Sequence, residues 1–212
     1  LVEAAAELIG EVGPSGVTLA TVGERAGYSR GLATHHFGSK GALMQRVVDV
    51  ITERFRDALT RGRSPSSTLE ELLGLIRTYF EIVSDLPPLH RARLVLMADA
   101  VATGSPDVRP ATVASDRSWR EQIASAIERG MAAGEFPRSI DPPGFATVIL
   151  GMLRGVAFQS MLDDEVDLDA ARNEIEQLLT ARLRLSAESN PHRQRRRVAR
   201  ATRPRRSERE KR

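Results

Sequence analysis

Arg30, Thr34, His35, His36 and Lys40 are the side chains whose types and spacing point to chemistry here, and that chemistry is recognition rather than catalysis. An arginine can donate two hydrogen bonds to a guanine edge, and a threonine offers a hydroxyl to a base or a methyl to thymine. Arg30 and Thr34 stand four apart, which puts them on one face of a helix. Gly31 carries no side chain, so that helix can come close to a surface, at a helix-propensity cost of about 1 kcal/mol. His35 and His36 are neighbours; adjacent helical residues point about 100° apart, so the pair cannot share a metal ion. Lys40 sits in a first helical turn behind a capping serine, and with the free amides of that turn it forms an anion site suited to a phosphate. Thr18 can add its amide or hydroxyl to another phosphate while capping its own helix. The sequence holds no cysteine, GxSxG, HExxH or glycine-rich phosphate loop. No catalytic residue, metal ligand or cofactor is therefore expected, and the chain reads as a non-enzyme.

Two short helices must position these groups. Thr18 is an N-cap, Leu19, Val22 and Ala26 recur at helical spacing, and Gly27 ends the helix at a site suited to positive φ. Ser29 caps the next helix, with Ala33 and Phe37 inward and Arg30, Gly31, Thr34 and His35 outward. Gly38 closes it and Ser39 caps a third. A short helix, a tight turn and a second helix with a polar outer face form a helix-turn-helix, whose second helix enters the DNA major groove.

The run GYSRGLATHHFGSKGAL, Gly27 to Leu43, with the preceding AAAELIGEVG and the T-L-x-x-V at Thr18, resembles the N-terminal domain of the TetR family of transcriptional regulators. The resemblance covers residues 1–43, without gaps. Ala33 stands where the family has an inward leucine, and Thr34 where many members have tyrosine, so the DNA sequence preference does not carry over. The resemblance places His35 over bases and His36 near a backbone phosphate, with Ser29 in the same DNA-binding set. It implies a homodimer that binds palindromic double-stranded operator DNA, most simply as a repressor released by a small-molecule effector. A pocket would lie among the fourth to eighth helices, with Phe80, Met97, Trp119, Met152 and Phe158 as lining. Ordinary core packing accounts for the same five residues. Arg77, Arg91, Arg93 and Arg154 could meet an anionic ligand or, as easily, pair at the surface.

The rest of the chain reads as all-α: a three-helix head followed by a bundle of five or six longer helices. A first helix runs to about Val12 and breaks at Gly13-Pro14-Ser15-Gly16. A fourth runs from Lys40 to about Arg61, and Ser67 with Glu70 forms a capping box for the fifth. Further helices are expected at 89–103, from Ser105-Pro106 to about Gly134 (one or two), at 141–163 and at 168–187. In the last two, Phe145, Val148, Gly151, Gly155, Ile175, Leu178 and Leu179 supply apolar and small residues for a four-helix dimer interface. The expected domains are residues 1–45 for DNA binding, 46–187 for ligand binding and dimerisation, and 188–212 as a basic, disordered tail.

Net charge is +3 over 212 residues, but residues 190–212 hold eleven Arg or Lys against two Glu, which leaves the rest at −6. The basic balance therefore belongs to the tail and says nothing about the head. No apolar run approaching the ~18 residues of a membrane span is read from the sequence. Glu3, Glu7 and Glu11 are unlike a secretory signal, so no membrane partner and a cytoplasmic location are expected. Two rivals stay open: an architectural DNA-binding protein that relies on the tail, and a small-molecule carrier or enzyme built on the helical half.

Overall fold

Short polar side chains set the helix starts. In the computed structural model, which describes residues 1–61, 65–85 and 87–184, the Thr18 hydroxyl accepts from the Thr21 amide at 3.1 Å and Ser39 from Ala42 at 3.1 Å. Asp141 and Asp167 accept likewise from Gly144 at 3.1 Å and Ala170 at 2.9 Å. Each bond satisfies an amide that a helix start leaves free, and such a cap is worth about 1 kcal/mol. The described residues form α1 (Val2–Gly16), α2 (Leu19–Arg25), α3 (Arg30–Phe37), α4 (Lys40–Thr60), α5 (Thr68–Asp85), α6 (Pro88–Ala102), α7 (Arg109–Ala132), α8 (Pro142–Leu162) and α9 (Leu168–Leu183), with no strand among them. The all-α expectation holds.

Two local expectations are corrected and one is met in part. Ser29 stands at the N-cap of α3, but its side chain makes no capping bond. Ser67 caps α5 by accepting from the Glu70 amide at 3.2 Å, while the Thr68 amide donates to Glu135 at 2.9 Å and ties α5 to the turn behind α7. Ser105-Pro106 opens a turn rather than a helix; one helix follows, starting at Arg109 with Pro110 in its first turn. The break in α1 falls where expected: Gly13 takes φ 71° and ψ 165°, outside the helical region, with Pro14 behind it.

Packing explains why the head is not a separate body. Ala5 and Ile9 of α1, Val22 of α2 and Leu43, Met44 and Val47 of α4 share one apolar cluster with Leu89, Ala92 and Leu96 of α6. The second cluster joins Phe55 of α4, Ile76 and Phe80 of α5, Trp119 and Ile123 of α7, Leu153 of α8 and Ile175 and Leu179 of α9. Helix α4 runs through both cores. Each fully buried Leu or Ile in them contributes about 1.5–3 kcal/mol.

Helix α8 also corrects the reading of apolar runs. It is long and apolar enough, at mean hydropathy 1.5, to cross a membrane by length and composition alone. Ala146, Ile149, Leu150, Leu153 and Ala157 are buried in the bundle, Phe145, Met152, Val156, Phe158 and Met161 pack half-buried against it, Arg154 interrupts the apolar run, and Val148 and Leu162 are exposed. The Arg-rich stretch 188–212 lies outside the described residues.

Candidate nucleic-acid interface and effector cavity

Helix α3 is held by one buried residue and a close approach. Ala33 is buried beneath it. On α2, a Cβ at Gly23 would fall 2.8 Å from the Ser29 carbonyl oxygen, so only glycine lets α2 and the start of α3 cross this closely. That requirement was missed by the sequence reading, which had no way to see which backbone Gly23 would meet. Arg25 fixes the other side of α2: its guanidinium donates to Glu11 at 2.7 and 2.9 Å and to Glu7 at 3.3 Å, both on α1. The paired carboxylates raise the Arg25 pKa further above its ordinary value, and the guanidinium beside Glu11 lowers that carboxyl.

The outward face of α3 carries the expected residues. Ser29, Arg30, Gly31, Thr34, His35 and His36 are all exposed, as is Thr18, and Lys40 is half-buried. Among the described residues, nothing lies within 4 Å of a Cβ built on Gly31. Arg30, 78% exposed, is ion-paired with Glu24 of α2. Any partner that Arg30 meets must compete with that carboxylate. The His36 ring stacks edge-on against Phe37, 4.5 Å between centroids, which sets its direction. Lys40 Nζ reaches back to the Ser15 carbonyl at 3.4 Å, so its charge sits beside the turn before Thr18. The Thr18 amide donates to the Thr21 hydroxyl at 3.0 Å, and the Thr18 hydroxyl accepts from the Thr21 amide and lies 3.1 Å from the Thr21 hydroxyl. Tyr28, in the turn before α3, is 56% exposed beside this face.

Behind the head, helices α4 to α8 enclose a row of cavities. An outer cleft of about 350 Å³ is lined by Leu59, Leu72, Leu75, Trp119 and Ile123, with Arg56, Glu70 and Glu71 at its exposed edge. Leu75 and Trp119 are also walls of an inner cavity of about 40 Å³, whose other walls include Phe55, Tyr79, His90, Arg93 and Arg154. Arg93 and Arg154 in turn border a third space of about 10 Å³ against Met97, Thr112 and Ser115. Phe55 meets Trp119 edge to face at 4.9 Å. Burial, with Arg93 and Arg54 nearby, pulls His90 down to about 4, so its imidazole is neutral at pH 7. Burial raises the Tyr79 phenol, which therefore stays protonated.

Of the five lining residues expected, Trp119 and Met97 border these spaces. Phe80 is buried in the main core, Met152 packs against that core, and Phe158 packs with Val83, Leu94 and Ala157. None of these three borders the cavities described. Phe55, Leu75, Tyr79 and His90 were missed. Of the four arginines, Arg77 pairs with Glu176 at 2.8 Å at the surface and Arg91 lies exposed against Gly10, whereas Arg93 and Arg154 line the cavity.

A third surface lies on α8 and α9. Val148 is 52% exposed and Leu178 58%, and among the described residues no neighbouring atom lies within 4 Å of a Cβ on Gly151 or Gly155. Phe145 is half-buried against the main core. Ile175 and Leu179 are buried in the protomer's own core, so their side chains are not free to meet a second copy.

Residues 1–47 match the family model described as bacterial regulatory proteins, tetR family, and residues 68–184 match the one described as BetI-type transcriptional repressor, C-terminal. The chain is 25% identical over 186 residues to the HTH-type transcriptional regulator BetI of Burkholderia mallei, which covers 86% of this chain and 93% of that protein. Among solved structures it is similar to a TetR-family transcriptional regulator from Rhodococcus sp., with TM-score 0.76, 25% identity and 86% and 95% of the two chains covered. It also shares its fold with a transcriptional regulator from Saccharomonospora viridis solved in complex with choline, with TM-score 0.69, 20% identity and 87% and 96% covered.

Proposed function

The chain belongs to the tetR family of bacterial regulatory proteins and is a transcriptional regulator; on that premise we propose that it is a homodimeric repressor, released from a palindromic operator by a small molecule bound among α4 to α8. The observation that carries this reading is that α6 belongs to both ends of the device. Leu89, Ala92 and Leu96 pack into the head core with α1 and α4, while His90, Arg93 and Met97 border the cavities. Gly10 of α1 lies close under Arg91 of α6: a Cβ added at Gly10 would stand 3.4 Å from the Arg91 Cδ. A ligand that displaces the cavity face of α6 therefore acts on α1, and through it on the tilt of α3. It shifts the protein away from DNA only by its differential affinity for the two arrangements.

In this reading Arg30, Thr34 and His35 read base edges, while Thr18, Ser29, His36 and Lys40 hold phosphates. Gly31 allows the close approach. Val148, Gly151, Gly155 and Leu178 form the outward seam on which a second copy packs, pairing two recognition helices as a palindrome requires. Binding of operator DNA places the work in the cytoplasm. The small-molecule complex of the Saccharomonospora viridis protein supports an effector site in this fold. Footprinting of the DNA upstream of the gene tests the reading. The wild type is expected to protect two symmetric half-sites about one helical turn or more apart, and an Arg30→Ala, Thr34→Ala variant is expected to lose them. A single asymmetric footprint, or one indifferent to that variant, contradicts it.

A further inference from the structure

The inner cavity combines features that single out one class of ligand. Arg93 and Arg154 both border it, and no carboxylate is among its walls as formed by the described residues. Asp116, on α7, pairs with Arg154 and with Arg120 at 3.1 Å. One carboxylate thus serves two guanidiniums, and Arg93 forms no ion pair among the described residues. Three buried donors have no hydrogen-bond partner among the described residues: Trp119 Nε1, Arg120 Nε and Arg154 Nη2. Trp119 is only 4% exposed, and it lines both the inner cavity and the outer cleft.

An unpaired buried donor costs free energy, and a buried guanidinium without an anion costs more. Burial and the neighbouring Arg154 pull Arg93 down to about 10, so it still carries its charge at neutral pH. Phe55, Tyr79 and Trp119 would by themselves suit a quaternary ammonium, which aromatic faces attract. Two guanidiniums in the same space reverse that preference, because a cation placed there meets like charge at low dielectric.

We propose that the effector of this protein is an amphiphilic anion: its carboxylate or equivalent acid head sits between Arg93, Arg154 and Trp119 Nε1, and its apolar body lies in the outer cleft against Leu59, Leu72 and Ile123. This deepens the effector-responsive reading above and rests on it. At about 350 Å³ the cleft falls within the range of small-molecule pockets. The inner space of about 40 Å³ admits only a small polar head. A ligand entering this way presses on Arg93, and so on the helix that reaches the head.

Trp119 is the single tryptophan of the chain, so the full-length protein carries its own reporter. Octanoate, octyltrimethylammonium and 1-octanol share one tail and differ in head charge. Titrated against Trp119 emission, octanoate is expected to saturate with a dissociation constant at least about tenfold below that of either analogue. Arg93→Met should abolish that advantage without weakening 1-octanol, Arg93→Lys should keep most of it, and the surface variant Arg77→Met should leave it intact. Failure of octanoate to saturate, or equal or tighter binding of the ammonium compound, overturns the proposal. The wild-type comparison decides this even if an Arg93 variant fails to fold. Anisotropy of a labelled operator duplex in the same samples separates the two readings. Octanoate that binds beside Trp119 yet leaves the duplex bound supports the site and sinks release by effector; duplex release by the ammonium compound alone sinks the anion assignment and keeps release by effector.

Discussion

Two glycines eight residues apart should respond to the same added methyl in opposite ways. At Gly23 a Cβ would stand 2.8 Å from the Ser29 carbonyl oxygen and 3.6 Å from the Arg30 Cα, so the atoms in the way are backbone and cannot swing aside. Gly23→Ala gains at most about 1 kcal/mol of helix propensity. Against it stands an overpacking cost of about 1–3 kcal/mol, so net stability falls by about 0–2 kcal/mol and α3 shifts outward. At Gly31 nothing among the described residues lies within 4 Å, so Gly31→Ala carries the propensity gain without the clash. Its melting temperature should rise by up to about 2–4 °C, the shift about 1 kcal/mol produces in a domain of this size. Both variants should lose about tenfold or more in operator affinity, Gly23→Ala because its reading face is displaced and Gly31→Ala because the methyl fills the space DNA needs. Thermal unfolding and duplex anisotropy measure the two quantities on the same preparations. A Gly31→Ala protein that binds operator as the wild type does refutes the close approach. A Gly23→Ala protein with unchanged melting and binding refutes the claim that this contact positions α3.

Arg30→Ala should cost about 1–3 kcal/mol at the base pair it reads and relax selectivity there, whereas Lys40→Ala should weaken all duplexes alike and lower the salt slope by about one phosphate; equal effects contradict that division. Stability should fall as pH drops from about 6.5 toward 4: His90 titrates at about 4 in the folded protein against 6.5 when unfolded, so the unfolded chain binds more protons in that window. The loss attributable to His90 is at most about 3 kcal/mol, and urea unfolding of a His90→Gln variant at pH 7 and 4.5 should show a correspondingly shallower fall. Val148→Asp and Leu178→Asp should each yield a folded monomer by sedimentation, with unfolding free energy within about 0.5 kcal/mol of wild type because both positions are exposed. A dimer unaffected by either change places the seam elsewhere.

Helix starts and the exposed face of α3 were legible because their determinants are local. A cap needs a residue and an amide two or three positions on, and Thr18, Ser39, Asp141 and Asp167 all supply one. The cavity was not legible, because its walls depend on how helices rotate against each other. Phe80 and Tyr79 are neighbours on α5, and periodicity alone cannot say which faces the core and which the cavity; the expectation chose Phe80, and the structure puts Tyr79 there. Arg93 lies between Ala92 and Leu94 on a helix buried on two sides, against α1 and against the cavity, so α6 shows little contrast between faces. Ile175 and Leu179 share a helix with Leu178, and only packing on α5 and α8 shows which of them is already buried.

Selection of duplexes from a random pool, using protein with residues 188–212 removed, tests most directly whether α3 reads DNA in pairs. The enriched sequences should be inverted repeats with half-sites about one helical turn or more apart, and the same selection with Arg30→Ala should lose a base preference in each half. A truncated protein that enriches no sequence, or enriches one without two-fold symmetry, would show that neither the α3 face nor its pairing governs binding.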